Sequence, residues 1–339
     1  WVLAMASYAG QDEALSVRHA SNPAVQGHTI CLTDQFLACY DARPGVTTAQ
    51  PTWTVNNAAA FDAPVLSTHA VLTGSNHGVY AFARASGQLI WRSVGARTFS
   101  PTVAGSVVYA ASVDGKLRAH RLADGAIIWE RQFEGWVYAP AVVGGIVVTG
   151  GQSGEVIALN AHNGRTQWRR TVPQELVFRP VAGQHEDIVI TTFAGDMISL
   201  QAATGQRRWH VKDPVAGHSP VSGAGRLAYL ALDKKLRVRD AATGDLLWQS
   251  QANFLGSQPG SNDSRLLLLS EHAEPIVLDA GTGTEMARVV ARGVVPHTPL
   301  SPVQIGQTLI SFSFDVESSV TDGTASKLLL NRHALSWRR

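Results

Sequence analysis

The chain has 339 residues, of which 45% are hydrophobic and 16% charged, and its formal net charge is +2. This length allows one large domain or two small ones, with ample apolar content for a core. The balanced charge does not indicate the concentrated basic face that nucleic acid or an anionic membrane would require. Because no apolar run approaches the roughly 18 residues of a membrane span, we predict neither nucleic-acid binding nor direct membrane insertion.

The first residues indicate processing. The chain starts at Trp1, without an initiator Met or a signal peptide, so we expect a processed or excised piece of a longer protein. Cys31 and Cys39 are the only cysteines, and they flank a predicted turn at residues 34–35. A two-residue loop would place Cys31 opposite Ala38, which predicts two buried free thiols. A shift of one residue in register would instead make the two cysteines neighbours and permit a disulfide.

A repeat organises the chain from its first unit onward. Prolines recur at spacings of 37 to 41 residues, each followed by an apolar strand: Pro23, Pro64, Pro101, Pro140, Pro180, Pro220, Pro259 and Pro299. A period near 40 with four short strands per unit is typical of a propeller. We therefore predict an all-β fold, a single eight-bladed β-propeller of four-stranded antiparallel blades over residues 1–339. The predicted blades are approximately 19–56, 57–94, 95–133, 134–173, 174–213, 214–252, 253–291 and 292–339.

The unit that begins at Pro101 shows the expected strands most clearly. A first strand ends at Val103, and residues 106–111 alternate as a second. A turn at Asp114-Gly115 leads to a third strand over 116–121, and a fourth starts at Ile127. Helical periodicity never persists for more than about one turn, so we predict no helix.

Ring closure has two solutions in the sequence. Residues 1–8 are strand-like and precede the first unit, which favours their adding to the last blade as its outer strand. Alternatively, residues 336–339 could fill that position while residues 1–8 pack elsewhere. Closing the ring would cover each blade with two neighbours.

A second marker is a glycine followed four residues later by tryptophan. The pairs are Gly87 and Trp91, Gly125 and Trp129, Gly164 and Trp168, Gly205 and Trp209, and Gly244 and Trp248. A further copy keeps Gly283 but has Ala287 where the tryptophan is expected. Glycine supplies the dihedrals of a tight turn, and a buried indole covers a large area and donates one hydrogen bond. We predict that these tryptophans dock blade on blade and do not bind a ligand.

The turn sequence Ala-x-Asp-x-x-Thr-Gly-x-x-x-Trp, clearest at 239–248, 199–209 and 158–168, resembles the PQQ-like (quinoprotein) propeller repeat. The resemblance covers nearly the whole chain and is most like the non-catalytic BamB-type propellers. It implies a scaffold for protein–protein interaction in a larger protein or assembly, such as an outer-membrane assembly accessory. The partners would be other proteins or other domains of the same polypeptide. The resemblance favours a periplasmic or extracytoplasmic location, although a cytoplasmic one stays open.

Two other functions are alternatives to the scaffold function. A ligand-sensing propeller fused to a signalling protein would use the same fold. PQQ-dependent dehydrogenases carry adjacent cysteines, a calcium site and a catalytic Asp, whereas no two cysteines are adjacent in this sequence. The twelve histidines form no His-x-x-x-His pair, and no Cys-x-x-Cys occurs. We therefore predict no catalytic residue, no cofactor and no metal.

Candidate contact residues follow from aligning the units by proline. The residue two before each proline should lie near one mouth of the central channel, where Phe99, Tyr138 and Phe178 would form an aromatic arc on consecutive blades. Arg179, His218 and His297 would add polar groups to this rim. Such a concave apolar arc is a candidate binding site, but the aromatics could instead pack between inner strands.

A second candidate is the irregular sector. It comprises Ala287, an insertion at 315–326 and an extended turn at 43–53, which mark either a contact region or drift at the seam.

Overall fold

The computed structural model describes residues 22–33, 36–43, 50–56, 59, 61–172, 176, 178–213, 215, 219–255, 258–262, 264–272, 274–288, 303–305, 308–315 and 327–334. Within these residues the regular elements are all β-strands, which form seven four-stranded antiparallel sheets and one three-stranded sheet. In the same part of the chain, there is no helix with the length and apolar character needed to cross a membrane.

Each four-stranded sheet is one blade, and its strands follow chain order. Blades 1 and 2 are β1 (Ala24–Gln26), β2 (Thr29–Thr33), β3 (Phe36–Asp41), β4 (Trp53–Asn56), β5 (Val65–Leu66), β6 (Ala70–Ser75), β7 (Gly78–Ala83) and β8 (Leu89–Val94). Blades 3 and 4 are β9 (Thr102–Ala104), β10 (Val107–Ala111), β11 (Lys116–Arg121), β12 (Ile127–Gln132), β13 (Ala141–Val143), β14 (Ile146–Gly150), β15 (Glu155–Asn160) and β16 (Thr166–Thr171).

The remaining sheets repeat this order. Blades 5 and 6 are β17 (Val181–Ala182), β18 (Asp187–Thr191), β19 (Asp196–Gln201), β20 (Arg207–Lys212), β21 (Val221–Gly223), β22 (Arg226–Leu230), β23 (Lys235–Asp240) and β24 (Leu246–Asn253). Blade 7 is β25 (Gly260–Asn262), β26 (Arg265–Leu269), β27 (Pro275–Asp279) and β28 (Glu285–Arg288). The three-stranded sheet is β29 (Val303–Ile305), β30 (Thr308–Asp315) and β31 (Lys327–Ala334).

The propeller of four-stranded antiparallel blades is confirmed, but the predicted number of blades is wrong. Seven four-stranded blades are present, not eight, and the last described sheet has three strands. The eighth unit lacks the turn glycine that precedes the outer strand in blades 2 to 7. Residues 1–8 and 336–339, which were predicted to supply that strand, lie outside the described residues, as does most of the insertion at 315–326.

The first strand of each blade lies innermost, because first strands of successive blades contact one another, as β9 does β13 and β17 does β21. Two faces follow from this arrangement. The crossover face carries the loops that leave each fourth strand and the hairpins between second and third strands. Isolated bridges such as Thr98 to Ser112 and Val137 to Gly151 tie these loops to those hairpins. The opposite turn face carries the hairpins between third and fourth strands.

Tryptophans from the fourth strands form the joints between blades. Each indole Nε1 donates to a backbone carbonyl of the following blade: Trp53 to Arg84, Trp91 to Leu122, Trp129 to Ala161, Trp168 to Ala202, Trp209 to Ala241 and Trp248 to Ala280. Each indole also covers the turn glycine of that blade, which has a positive φ: Gly87, Gly125, Gly164, Gly205, Gly244 and Gly283. Between successive blades the buried side chains gather into apolar clusters, one example being Val148, Val156, Ile188 and Ile198 between blades 4 and 5.

The expectation of two free thiols in blade 1 is wrong. Strands β2 and β3 pair Cys31 with Cys39, Leu32 with Ala38 and Thr33 with Leu37. The connection is therefore one residue longer than predicted, which moves Cys39 directly opposite Cys31. The two sulfurs form a disulfide, and both residues are fully buried against Trp53 and Phe82.

Candidate contact site at the channel mouth

The predicted contact residues lie where the chain crosses from the outer strand of one blade to the inner strand of the next. Phe99 precedes β9, Tyr138 precedes β13, and Phe178 and Arg179 precede β17. All four therefore belong to crossover loops, on the crossover face and next to the innermost strands. The chain returns there because residues such as Thr98 pair with the end of the second strand of the following blade.

Two of the predicted aromatics are in contact. The ring centroids of Phe99 and Tyr138 are 5.6 Å apart, with planes inclined by 38°. The guanidinium carbon of Arg97 lies 5.8 Å from the Phe99 centroid, within the range of a cation–π interaction. Phe99, Tyr138 and Phe178 are all half-buried, so each keeps part of its ring at the surface. Packing between inner strands alone would have buried them.

Backbone contacts hold this pair in place. The amide of Phe99 donates to the carbonyl of Ala111 at 3.0 Å, and the amide of Tyr138 donates to Gly150 at 3.0 Å. The Thr149 hydroxyl donates to the Tyr138 carbonyl at 2.6 Å. Gly74 permits a close approach, since a Cβ there would lie 2.3 Å from the Phe99 carbonyl oxygen. The loop therefore presents the rings in a preorganised form, which lowers the cost of ordering on binding.

Arg179 adds a cation to the rim. Its carbonyl accepts a hydrogen bond from the Ser219 hydroxyl at 3.0 Å, which connects the loop to blade 6. Its side chain is exposed, yet the surrounding protein lowers the pKa of the guanidinium through desolvation. The guanidinium stays charged at neutral pH. Protein atoms surround it in part, and part of it contacts water. Such a cation can receive a carboxylate more favourably than one in bulk solvent.

Not every predicted residue can be placed. His218 and His297 lie outside the described residues, and so do residues 44–49 of the extended turn. Ala287 is buried and pairs with Val277, in the position that tryptophan takes in the preceding blades. Gly283 nevertheless receives Trp248, so this copy keeps half of the joint.

The crossover face holds further apolar side chains that sequence reasoning missed. Trp136 is 39% exposed, Phe193 52% and Leu232 51%, each on a crossover loop or a hairpin of that face. Phe193 could have been found, because its hairpin position is also apolar in blades 3 and 6, where Val113 and Leu232 occupy it. Trp136 precedes the predicted Tyr138 by two residues, but it falls outside the Gly-x-x-x-Trp pattern.

The side chains at this site are of the kinds that form binding surfaces. In the part of the chain that the structure describes, no group of three or more His, Cys, Asp or Glu side chains comes together to hold a metal. What the site offers is half-exposed aromatic surface beside guanidinium groups. This combination is enriched at protein–protein interfaces.

The fold and the tryptophan joints are those of a β-propeller built of similar repeats, and comparison with known proteins finds the same kind of repeat. Residues 75–222 match the family model described as "Outer membrane protein assembly factor BamB". The matched repeats are therefore similar to those of BamB-type propellers, over somewhat less than half of the chain.

Relatives with the same description share shorter segments. The protein of Xanthomonas campestris pv. campestris is 38% identical over 91 residues, which cover 24% of this chain and 22% of the relative. That of Bordetella pertussis is 30% identical over 119 residues, 34% of this chain and 30% of the relative. That of Yersinia pestis is 29% identical over 164 residues, 41% of this chain and 40% of the relative. The matched segments therefore span less than half of each relative.

Solved structures extend the likeness of fold to most of the chain. BamB from Moraxella catarrhalis superposes with a TM-score of 0.66 at 15% identity, covering 89% of this chain and 94% of that one. The computationally designed protein Ika8 gives a TM-score of 0.68 at 14% identity, covering 87% and 94%. The designed protein matches as well as the natural one, so this likeness concerns the fold and does not indicate a function.

Proposed function

We propose that this propeller is a non-catalytic scaffold that docks a partner protein on its crossover face. The observation that carries the proposal is the contact of Phe99 with Tyr138 beneath Arg97, on loops fixed by backbone hydrogen bonds. Rigid aromatic and Arg side chains are the groups that contribute most to interface free energy.

Further exposed apolar side chains on the crossover face support a macromolecular partner. Trp136, Phe193 and Leu232 are exposed on the same face as the aromatic pair. Exposed apolar side chains near the aromatic pair would enlarge the surface available to a partner protein. The relatives are named as factors of outer membrane protein assembly, and we propose the same kind of role for this chain, with components of that machinery as partners.

The disulfide of blade 1 supports the compartment this role requires. Disulfides persist in oxidising compartments such as the bacterial periplasm and are rare in the cytosol. The bond between Cys31 and Cys39 therefore agrees with an extracytoplasmic location.

The test combines binding with function in the bacterium of origin. The double variant Tyr138→Ala with Arg179→Ala should lose copurification of the assembly machinery by about tenfold, as removal of two interface anchors predicts. It should also fail to restore outer-membrane protein levels in a deletion strain. Val94→Ser, at an apolar residue 69% exposed on the outer strand of blade 2, is the matched control and should behave as wild type. Full complementation by a stably folded double variant would refute the proposal.

A further inference from the structure

The outer strands of blades 4 and 5 differ from those of the other blades in their charge. Strand β16 reads Thr-Gln-Trp-Arg-Arg-Thr and β20 reads Arg-Arg-Trp-His-Val-Lys, so they carry two and three Arg or Lys residues, whereas the fourth strands of the other blades carry at most one. The equivalent first two positions are apolar in blades 2, 3 and 6, as in Leu246 and Leu247. A chain with a net charge of only +2 thus concentrates cations on one part of its side wall.

Strand register shows that these cations line one groove. Arg170 pairs with Val156, and His210 pairs with Ile198. Val156 and Ile198 belong to the same buried cluster between blades 4 and 5. Paired residues of an antiparallel ladder share a face, so Arg170 faces blade 5 while His210 faces blade 4. Lys212 shares the face of His210 because side chains alternate along a strand, and Arg207 shares it because it pairs with Leu200 of the same cluster.

The carboxylate in this groove lies at its base and leaves the cations at its surface. Asp196 is 5% exposed, and His210 and Lys212 lie 2.7 and 3.8 Å from it. Asp187, which lies 3.4 Å from Arg208, pairs with Gln201 and shares the opposite face of the blade with Val189. Arg170 and Arg207 are exposed without a carboxylate partner among the described residues, so the cations of the groove outnumber its carboxylates.

Neighbouring grooves neutralise their cations more completely. In blade 3, Glu130 pairs with both Lys116 and Arg118. In blade 6, Asp213 binds Arg237 and Arg239 at 2.9 and 2.7 Å. The excess of positive charge is therefore a property of the groove between blades 4 and 5, and it does not follow from the propeller repeat.

We propose that this groove binds an acidic, extended segment of a partner protein, at a surface separate from the crossover face. His210 and Lys212 project from alternate positions of one strand, about 6.6 Å apart, and Arg207 lies on the same face beyond the bulge. An extended peptide places its alternate side chains at the same interval, so carboxylates at every second position match this row. Guanidinium groups also bind carboxylates in a bidentate geometry.

The other polyanions fit the groove less well. Single-stranded nucleic acid binds through aromatic side chains that stack on bases, and the nearest indoles, Trp168 and Trp209, are engaged in the blade joints. A bilayer presents a plane of headgroups, whereas these cations follow a cleft on the curved side wall. A chain of carboxylates is therefore the ligand that the geometry selects.

A fluorescein-labelled peptide with Glu at alternate positions of about twelve residues tests the proposal by fluorescence anisotropy. Wild-type protein should bind it saturably, and binding should weaken at raised ionic strength because surface charges are screened. The variant Arg170→Gln with Arg207→Gln keeps the partners of Asp187 and Asp196 and should bind about tenfold more weakly. Arg92→Gln with Arg121→Gln removes the same charge from blades 2 and 3 and should bind as wild type.

Two further probes separate the ligand classes. Vesicles containing about one third anionic phospholipid and an oligo-dT strand are assayed with the same proteins. The proposal requires that the groove variant change peptide binding and leave these two probes unaffected. Absence of saturable peptide binding, equal affinity in all three proteins, or a loss confined to vesicles or oligo-dT would overturn it. Matching urea midpoints confirm that the variants are folded.

Discussion

His120 lies against Trp91 across the joint between blades 2 and 3, with ring centroids 5.9 Å apart and planes inclined by 27°. His120 is fully buried, and its Nδ1 lies 3.0 Å from the carbonyl oxygen of Gly125. A carbonyl accepts only, so Nδ1 carries the proton and donates. Nε2 is then an acceptor without a partner in the described residues. Burial lowers the pKa of this imidazole, and the neutral form is the one that fits the joint.

This burial predicts an acid-sensitive contribution to stability. Below its ordinary pKa of 6.5, His120 takes up a proton in the unfolded chain but not in the folded one. The unfolded state then binds more protons, so stability falls as the pH falls, by up to about 1.4 kcal/mol per pH unit. The loss ends when the pH reaches the lowered folded pKa. Nearby Arg118 opposes protonation and Glu130 favours it, and both are smaller effects than burial.

The variant His120→Leu should remove that contribution. Leu159 follows the bulge at the same register position in blade 4, so leucine fits this site in the repeat. Urea unfolding at about pH 7.5 and pH 5 measures the stability of both proteins. The variant should lose less stability between the two values than wild type. Equal losses would show that His120 does not contribute.

A pair of glycine substitutions should separate backbone strain from the tryptophan joint. Gly125 and Gly105 have φ values of +74° and +58°. A Cβ on Gly125 would lie 2.6 Å from Trp91, whereas a Cβ on Gly105 would meet nothing within 4 Å. Gly105→Ala should therefore cost about 1 kcal/mol from the left-handed backbone alone. Gly125→Ala should cost about 3 kcal/mol because the indole must also move. Chemical denaturation of both variants tests this difference.

Trp53 should contribute as much stability as the tryptophans that the sequence pattern identified. Its indole donates to the Arg84 carbonyl at 2.8 Å, and the Arg84 guanidinium reaches back to the carbonyl of Gln26 at 2.6 Å. Blades 1 and 2 thus each donate a side-chain hydrogen bond to the backbone of the other. Trp53→Ala should destabilise the protein by about 3–5 kcal/mol. Val94→Ala, at a residue 69% exposed, should change stability by less than about 0.5 kcal/mol in the same assay.

Much of the fold follows from local chemistry in the repeat. The strand bounds of blade 3 could be predicted because Asp114-Gly115 and Asp124-Gly125 fix the turns. Trp53 was missed because its repeat has Ala49 where the other copies have glycine. The structure explains this, since the glycine of each copy receives the preceding tryptophan while its own tryptophan docks on the next blade. The two residues therefore serve different joints and can be lost separately, as Gly283 and Ala287 show.

The candidate sites were less accessible to sequence reasoning. Phe99 and Tyr138 could be placed because the proline spacing aligns the crossover loops. The groove between blades 4 and 5 depends on which face of a strand each side chain occupies. A bulge between Ser199 and Leu200 shifts that alternation, and composition averages the charge over the whole chain. A register error of one residue also explains the wrong prediction in blade 1. It placed Cys39 on the face of the sheet opposite to that of Cys31.

The disulfide of blade 1 gives the last prediction. Cys31 and Cys39 are separated by 8 residues, so the bond closes a short loop. Loop-closure entropy assigns such a bond about 2.5 kcal/mol, and replacing both residues with Ala should lower the free energy of unfolding by that amount. Both residues are fully buried, so reductant should reach the bond only after unfolding. Alkylation followed by mass spectrometry should detect two modified thiols in reductant with urea and none in reductant alone. Rapid labelling of the folded protein would contradict this burial.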